Sequence, residues 1–343
     1  MSYTNGLDKP SNYFNTKLWT GNGSTQSITG VGFQPDFTWI KQRTNTNSHQ
    51  LFDVIRGATN HLRSNSTAVE TTNVNTLTSF DSDGFSIGSD DAVNFNTSTY
   101  ASWNWYTGAT ASSNTDGSIT SSVSANTTSG FSIVSYTGSA SSTVGHGLNS
   151  TVDMIILKQK DNDGDWCAYH SSLGKDKVLI PNSTSAAVTV SNFWGTSTPD
   201  SNVFGTASSG GFANASGDII AYCFAEKKGF SKFGSYTGNG STDGTFVYTG
   251  FKPAFLITKR SDTSGNSWIL TDNARDTDNV VQKVLYPDGS NAEASSDRLD
   301  FLSNGFKQRT TSGAANASGG TYIYMCFSEN PFVTSTSVPT TAR

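Results

Sequence analysis

Strict alternation between bulky and small or polar side chains marks three short stretches of the chain. The bulky members are Ile220, Tyr222 and Phe224 in one stretch, Ala101, Trp103 and Trp105 in another, and Ile323, Met325 and Phe327 in the third. A period of two places each trio on one face of a β-strand. We therefore predict three strands whose bulky faces turn towards a hydrophobic core.

A second pattern is a short apolar run that ends in lysine. It appears as PDFTWIK, VDMIILK and PAFLITK, which end at Lys41, Lys158 and Lys259. Nearly continuous apolar character over six or seven residues is typical of strands that are buried on both faces. The turns between such runs are rich in Gly, Asn, Asp and Ser, which favours an all-β fold over a helical one.

The order of these patterns predicts three homologous units. Each unit opens on an aromatic-Thr-Gly triplet, at Trp19, Tyr136 and Tyr236, and closes on one of the alternating strands. The predicted units are residues 18–106 (unit 1), 131–230 (unit 2) and 231–332 (unit 3). Residues 107–130 form a linker or an added hairpin, residues 1–17 an N-terminal segment and residues 333–343 a C-terminal tail. The hexapeptide TGNGST, at Thr20–Thr25 and again at Thr237–Thr242, is predicted to be the same hairpin turn in two units.

Each unit has about 100 residues, enough for a β-sandwich. The predicted fold is therefore all-β, with three tandem sandwich-like repeats of the jelly-roll or lectin-like kind. The units pack side by side with a small core each, or form a linear array, or form a compact body with pseudo-threefold symmetry. We favour side-by-side packing, because the intervals between successive units are unequal.

Composition narrows the functional classes. Charged residues make up 14% of the chain and the net charge is −5, so there is no basic stripe to bind nucleic acid. No apolar run approaches the 18 residues of a membrane-spanning helix. The N-terminal residues show no charged and apolar regions of a signal peptide, which favours assembly in a cytoplasm.

One acidic loop offers the chemistry of a calcium site. Asp161, Asp163 and Asp165 lie in the sequence DNDGD, and clustered carboxylates around a glycine suit Ca²⁺. The spacing fails the EF-hand pattern, and the matching loops of the other units carry few carboxylates. We expect a solvated turn here, with a Ca²⁺ site as the alternative, and no other cofactor.

No catalytic motif stands out, and we predict that the chain is not an enzyme. Asp53 and Arg56 recur as Asp272 and Arg275, while unit 2 has His170 and Leu173 at these positions. We interpret the repeated pair as a structural ion pair rather than a catalytic one. Cys167, Cys223 and Cys326 are interpreted as small packing residues.

Aromatic side chains offer a second kind of candidate site. Trp19, Phe193 and Trp194 are candidates for surface rings that stack on sugars or on a partner protein. A single exposed aromatic residue does not mark a site, so this interpretation depends on where the fold places them.

Several long stretches resemble a known protein family. YFNTKLWTGNGSTQSITGVGFQPDFTWIKQR, LTSFDSDGFSIGS, IIAYCFAEKKGFSKFGSYTGNGS and ASGGTYIYMCFSENPF resemble repetitive structural proteins of marine tailed bacteriophages, cyanophage-like ones included. The resemblance extends from about Tyr13 to Arg343. It implies a virion component in a host-contacting tail fibre or in an external decoration, and it supplies no catalytic residues.

Three hypotheses follow from the resemblance. The first is a tail-fibre or adhesin-like module that binds a host-surface glycan or protein, with other virion proteins as partners and a homotrimer as the favoured assembly. The second is a capsid decoration or tail-collar protein without receptor binding. The third, a glycan depolymerase, requires two carboxylates about 5–9.5 Å apart in a groove, and no such pair is evident in the sequence.

Overall fold

A computed structural model describes residues 6–209 and 214–339 of the chain. Almost every regular element is an antiparallel β-strand, which confirms the predicted all-β fold. Among the described residues, no helix is long and apolar enough to cross a membrane.

Unit 1 follows a 3₁₀ turn at Pro10–Asn12. Its elements are β1 (Phe14–Thr20), β2 (Gln26–Thr29), β3 (Phe37–Gln42), β4 (Gln50–Asp53), β5 (Asn60–His61), β6 (Thr71–Thr72), β7 (Leu77–Asp81), β8 (Gly84–Ile87), α1 (Asp91–Asn94) and β9 (Thr99–Trp105). The strands form an inner sheet, β1-β9-β3-β4, an outer sheet, β2-β8-β7, and a small β5-β6 ladder.

Unit 2 begins with two strands from the segment between the units. Its elements are β10 (Ser112–Asn114), β11 (Ser121–Asn126), β12 (Phe131–Thr137), β13 (Thr143–Gly145), β14 (Met154–Gln159), β15 (Cys167–His170), β16 (Lys177–Val178), β17 (Val188–Thr189), β18 (Val203–Gly205) and β19 (Asp218–Phe224). The inner sheet has the order β10-β11-β12-β19-β14-β15, and β13-β18 and β16-β17 form two small ladders. The segment between the units thus contributes an added hairpin, which extends the edge of this inner sheet.

Unit 3 has the longest strands. They are β20 (Ser231–Thr237), β21 (Phe246–Tyr248), β22 (Phe251–Arg260), β23 (Ile269–Asp272), β24 (Val281–Val284), β25 (Ala294–Leu302), β26 (Gly305–Gln308) and β27 (Thr321–Pro331). The inner sheet is β20-β27-β22-β23 and the outer sheet is β21-β26-β25-β24. All three inner sheets therefore share one strand order, in which the closing strand lies between the opening strand and the lysine-ended strand.

The alternating trios face one core that all three units share. This central core includes all nine residues of the closing-strand trios, together with aromatic residues from each opening strand. The Trp105 ring is 1% exposed and lies 4.9 to 6.4 Å from rings of units 1, 2 and 3. Each unit also has a smaller core of its own between its inner and outer strands. The units thus form a compact body around a shared core, rather than only lying side by side as we expected.

The junctions between units repeat one contact in a closed ring. A ring N–H of each unit donates to a backbone carbonyl of its neighbour: Trp166 to Arg63 (2.9 Å), Trp268 to Ile180 (3.1 Å) and His49 to Tyr286 (3.0 Å). Unit 2 therefore binds unit 1, unit 3 binds unit 2, and unit 1 binds unit 3. Three equivalent junctions give the pseudo-threefold arrangement, which the sequence left as one of three alternatives. The number of repeats and their exact boundaries stay a prediction.

The lysine at the end of each apolar strand is buried and binds the loop that follows. Lys41 Nζ donates to Asn45 O at 3.3 Å, and Lys158 Nζ donates to Asn162 O at 3.2 Å. Lys259 Nζ donates to Asn266 O at 2.7 Å. Burial lowers the pKa of Lys41 and of Lys259 to about 8. The lysine at this position of each unit thus donates hydrogen bonds to buried carbonyls of the following loop.

The two TGNGST segments fold alike. In each, the backbone N–H of the asparagine, Asn22 or Asn239, donates to a buried asparagine side chain, Asn94 (2.9 Å) or Asn316 (3.0 Å). A Cβ on Gly21 would lie 2.3 Å from a backbone oxygen, so only glycine fits this close approach. The segment joins β1 to β2, which lie in different sheets, so it is a sheet-to-sheet connection and not a β-hairpin.

Candidate functional site

The repeated Asp-Arg pair is a buried structural network at a unit junction. The Asp53 and Arg56 side chains are both fully buried and form an ion pair, and Arg56 Nη1 also reaches Glu70 at 2.9 Å. Tyr222 of unit 2 donates its hydroxyl to Asp53 at 2.8 Å. Burial alone would lower the pKa of Arg56, but the charges of Asp53, Tyr222 and Glu70 outweigh it and raise that pKa. The prediction of a structural ion pair is confirmed.

Unit 3 has the same network, and unit 2 replaces all of it. Arg275 contacts Asp272 at 2.5 Å and Glu293 at 2.9 Å, and Trp103 of unit 1 donates to Asp272 at 3.0 Å. At the equivalent positions unit 2 has His170, Leu173 and Ala187, and His170 faces a backbone carbonyl of unit 3 at 3.1 Å. The charged groups are thus present together or absent together, as expected for groups whose charges balance only as a set.

The three candidate aromatic residues are not on the surface. Trp19 is 9% exposed, Phe193 is 3% exposed and Trp194 is 0% exposed. The Trp19 indole stacks on Tyr100 at 5.3 Å, and the rings of Phe193 and Trp194 lie in the core of unit 2. The expectation that these rings are available for stacking is wrong, because each fills space between the sheets of its own unit.

The acidic loop of unit 2 turns its carboxylates towards different donors. Asp161 accepts from the Asp218 N–H at 3.1 Å, Asp163 from the Val69 N–H at 3.1 Å, and Asp165 from the Asn182 amide at 2.7 Å. Within residues 6–209 and 214–339, no group of three or more His, Cys, Asp or Glu side chains could hold a metal ion. The structure does not bring Asp161, Asp163 and Asp165 together, and the loop instead contacts unit 1.

Two cavities can be set aside as ligand sites. The cavity inside the central core has a volume of about 20 Å³ and apolar walls, which suits no ligand larger than one water molecule. A cleft of about 520 Å³ lies beside Asp36 where units 1 and 2 meet. Burial raises the pKa of Asp36, and its carboxylate already accepts from the Thr107 and Gly108 N–H groups at 2.7 and 2.8 Å.

A third cleft, in unit 1, has the character of a binding site. It has a volume of about 410 Å³ and we call it the polar cleft; its lining residues are Asn47, Ser48, Gln50, His61, Arg63, Thr71, Thr72, Asn73, Asp90 and Ala92. Nine of these ten residues have polar or charged side chains. Strands β4, β5 and β6 form one part of the wall, and the residues before and at the start of α1 form another.

Comparison between units shows that the polar cleft is a special feature of unit 1. Isolated bridges pair Leu51 with Leu62, Ala168 with Leu179 and Leu270 with Leu285, which fixes the equivalent positions. The trio Gln50, His61 and Thr71 of unit 1 then corresponds to Cys167, Val178 and Val188 in unit 2 and to Ile269, Val284 and Ala294 in unit 3. Two units have an apolar trio where unit 1 has a polar one. We did not identify these residues from the sequence, although the signal was present in the aligned repeats.

The polar side chains of the cleft are only partly satisfied. Gln50 is 3% exposed, and its Oε1 has no hydrogen-bond partner among the residues described. His61 Nε2 lies 2.9 Å from Thr71 Oγ1. Burial, helped by the charge of Arg63, lowers the pKa of His61 to about 4, so the ring is neutral near pH 7. A buried polar atom without a partner costs free energy, so a water molecule or a ligand group that donates to Gln50 Oε1 would be stabilising.

The remaining wall offers amides, the guanidinium of Arg63 and a single carboxylate, Asp90. Asp90 accepts from the Ala92 N–H at 2.8 Å and from Asn73 Nδ2 at 2.7 Å. Asn47 donates to Gln42 Oε1 at 2.6 Å. Amide, hydroxyl and imidazole groups around one carboxylate and one guanidinium suit a ligand with many hydroxyl groups. Two-carboxylate glycoside hydrolysis requires a second acid, and Asp90 is the one carboxylate on the wall of this cleft.

Unit 3 has a different exposed feature on its outer sheet. Phe246 and Tyr248 are 44% and 55% exposed and lie on β21, the edge strand, with buried Val247 between them. The register of β2, β13 and β21 against their partner strands makes Ser27 and Thr29 the unit 1 counterparts, and Thr143 and Gly145 the unit 2 counterparts. Only unit 3 therefore presents an aromatic pair at this edge.

Comparisons with known proteins give one family match. The model of a domain of unknown function (DUF7483) matches residues 9–331. No curated protein and no solved structure matches the chain.

Proposed function

The chain belongs to the DUF7483 family of domains of unknown function, and we propose that it is a non-enzymatic structural protein of a bacteriophage virion. In this proposal it is a tail-fibre or adhesin-like component, and the polar cleft of unit 1 binds a saccharide on the host surface. The assignment to a virion rests on the sequence resemblance to bacteriophage structural proteins.

The observation that supports saccharide binding is the polar trio of unit 1. Three equivalent units share one scaffold, so the apolar trios of units 2 and 3 are the arrangement that this scaffold accepts without a ligand. Gln50, His61 and Thr71 replace such a trio and leave a buried amide oxygen unpaired. Loops and cleft walls on a rigid β-scaffold commonly carry binding functions.

We expect the triple substitution Gln50→Ile, His61→Val and Thr71→Ala, which installs the trio of unit 3, to remove binding and raise stability. Binding to an array of bacterial surface polysaccharides should weaken by at least about tenfold, since three polar contacts are lost. The free energy of unfolding in urea should rise by about 1 to 3 kcal/mol, because an unpaired buried polar group is removed.

The reciprocal variant provides the control. Ile269→Gln, Val284→His and Ala294→Thr place the polar trio in unit 3, away from the polar cleft, and should lower stability without changing saccharide binding. If the unit 1 variant loses stability and keeps its affinity for the array, the polar trio is structural and the proposed binding site is wrong.

The alternative function is a capsid decoration or tail-collar protein without receptor binding. The exposed pair Phe246 and Tyr248 favours it, because paired aromatic residues at a sheet edge are typical anchors for a protein partner. The two functions can be separated, since the aromatic pair is in unit 3 and the polar cleft is in unit 1.

We expect the double substitution Phe246→Ser and Tyr248→Thr, which installs the residues of unit 1, to reduce incorporation of the chain into virions by at least about tenfold. Quantitative immunoblots of purified virions measure this, and urea unfolding should show no loss of stability. Normal incorporation of this variant would remove the support for the decoration role.

A further inference from the structure

Arg63 is a cation in the polar cleft, and it forms no ion pair with a carboxylate among residues 6–209 and 214–339. Five arginines pair with carboxylates in the described part of the chain: Arg43, Arg56, Arg260, Arg275 and Arg309. The Arg63 guanidinium instead lies 3.4 Å from His61 Nε2 and 3.5 Å from Thr71 Oγ1. Both distances are at the long limit for a hydrogen bond, so most of its five N–H donors remain available to a ligand.

The neighbours of Arg63 do not cancel its charge by contact. His61 is neutral near pH 7, because burial and the charge of Arg63 lower its pKa to about 4. Asp90 lines the same cleft, but its oxygens accept from Ala92 and Asn73. The cleft therefore combines one uncommitted guanidinium with amide and hydroxyl groups.

Comparison between units again shows that this cation is specific to unit 1. The position of Arg63, directly after the bridge residue Leu62, is occupied by Ile180 in unit 2 and by Tyr286 in unit 3. In all three units the backbone carbonyl of this residue accepts the junction hydrogen bond. The scaffold thus requires the backbone of this position but not an arginine side chain.

We propose that the polar cleft selects acidic saccharides and that Arg63 binds their carboxylate; this rests on the saccharide-binding function proposed above. A guanidinium presents parallel N–H donors that match a carboxylate in a two-pronged contact. The hydroxyl groups of the same sugar ring would bind Asn47, Asn73 and Asp90. A cleft of about 410 Å³ is large enough for a sugar ring with part of its neighbours. With a net charge of −5, the chain as a whole repels anions, so selection depends on this local cation.

The test is an array of acidic bacterial polysaccharides, each paired with its carboxyl-reduced form. The full chain should bind at least some acidic forms about tenfold or more tightly than their reduced partners. Arg63→Ile, which installs the residue of unit 2, should remove this preference. A rise in NaCl from about 50 mM to about 500 mM should weaken binding of the acidic forms and leave the reduced forms unaffected.

A second charge substitution controls for nonspecific electrostatics. Lys177→Gln removes one positive charge from unit 2, where Lys177 Nζ contacts Thr189 at 2.6 Å, and should leave the preference unchanged. Equal binding of acidic and reduced forms would overturn the role of Arg63 while saccharide binding itself would stand. Retained preference in the Arg63→Ile variant would also overturn it. Absence of binding to every polysaccharide would overturn both this inference and the saccharide-binding function.

Discussion

Replacement of Arg56 by leucine is expected to lower the free energy of unfolding by about 3 to 5 kcal/mol. Leucine fits the space, since unit 2 has Leu173 at this position. The loss arises because Asp53 stays fully buried without its cation, and because Leu51 O and Glu70 lose the hydrogen bonds that Arg56 donates. A buried carboxylate without a partner is among the most destabilising changes in a protein interior. Urea unfolding followed by tryptophan fluorescence measures the effect.

Replacement of the other residues of this network together with Arg56 should restore stability. Asp53→His, Arg56→Leu and Glu70→Ala together install the set of unit 2, and Tyr222→Met installs the residue that unit 3 has at the position of Tyr222, Met325. We expect the quadruple variant to lie within about 1.5 kcal/mol of the original chain, since residues in one network are strongly coupled. If the single variant loses less than about 1 kcal/mol, or the quadruple variant loses as much as the single one, the network is not held together by charge balance.

The fold class was predictable because the signals for it are local. The alternation at Trp103 and Trp105 or at Tyr222 and Phe224 depends only on strand geometry, so it identified both the strands and their buried faces. The alternation does not indicate which other residues a buried strand face packs against. The trios face a core shared by three units, and this depends on how distant segments meet. The burial of Trp194 was missed for the same reason, since its neighbours come from elsewhere in unit 2.

The candidate site was harder to predict than the fold. Gln50, His61 and Thr71 form no motif in sequence, and each polar residue alone is unremarkable on a strand. Their meaning comes from the comparison with Ile269, Val284 and Ala294, which requires the equivalence that the bridges of the structure establish. The ion pairs of Asp53 and Asp272 were identifiable because the same spacing appears twice in the sequence.

Acidification is expected to unfold the chain as the pH falls from about 6.5 towards 4. Burial lowers the pKa of His146 and of His170 to about 4. Burial and the charge of Arg63 lower that of His61 to about 4, and burial lowers that of His49 well below its ordinary value. The hydrogen bonds of three imidazoles fit only the neutral form. Nδ1 accepts from an N–H group at 2.8 Å in His49, 3.3 Å in His146 and 3.2 Å in His170. In each of them Nε2 donates to a backbone carbonyl. A proton on Nδ1 would turn this acceptor into a donor, which would repel the N–H group that it now binds.

The direction follows from the difference between the folded and unfolded states. The unfolded chain binds protons at the ordinary histidine value of 6.5, whereas the folded chain binds them only near 4 or below. Stability is therefore fully present above pH 6.5 and declines by about 1.4 kcal/mol per pH unit for each histidine. Burial raises the pKa of Asp36 and of Asp288, and these two groups oppose part of the decline. The net loss still reaches several kcal/mol, a large share of the stability of about 5 to 15 kcal/mol that is usual for a folded protein.

Urea unfolding at pH 7.5, 6.5 and 5.5 would measure this decline directly, at about the values where the unfolded histidines titrate. The unit 1 variant with His61→Val has three histidines and should show a shallower slope, by roughly one proton. His49 and His170 both donate from Nε2 to carbonyls of unit 3. A proton on Nδ1 would repel the N–H of Trp39 or Ser172 and displace an imidazole that holds a junction between units. The three units should accordingly unfold together rather than one after another. A flat stability profile between pH 7.5 and 5.5 would show that the buried imidazoles accept protons in the folded state, against the hydrogen-bond geometry.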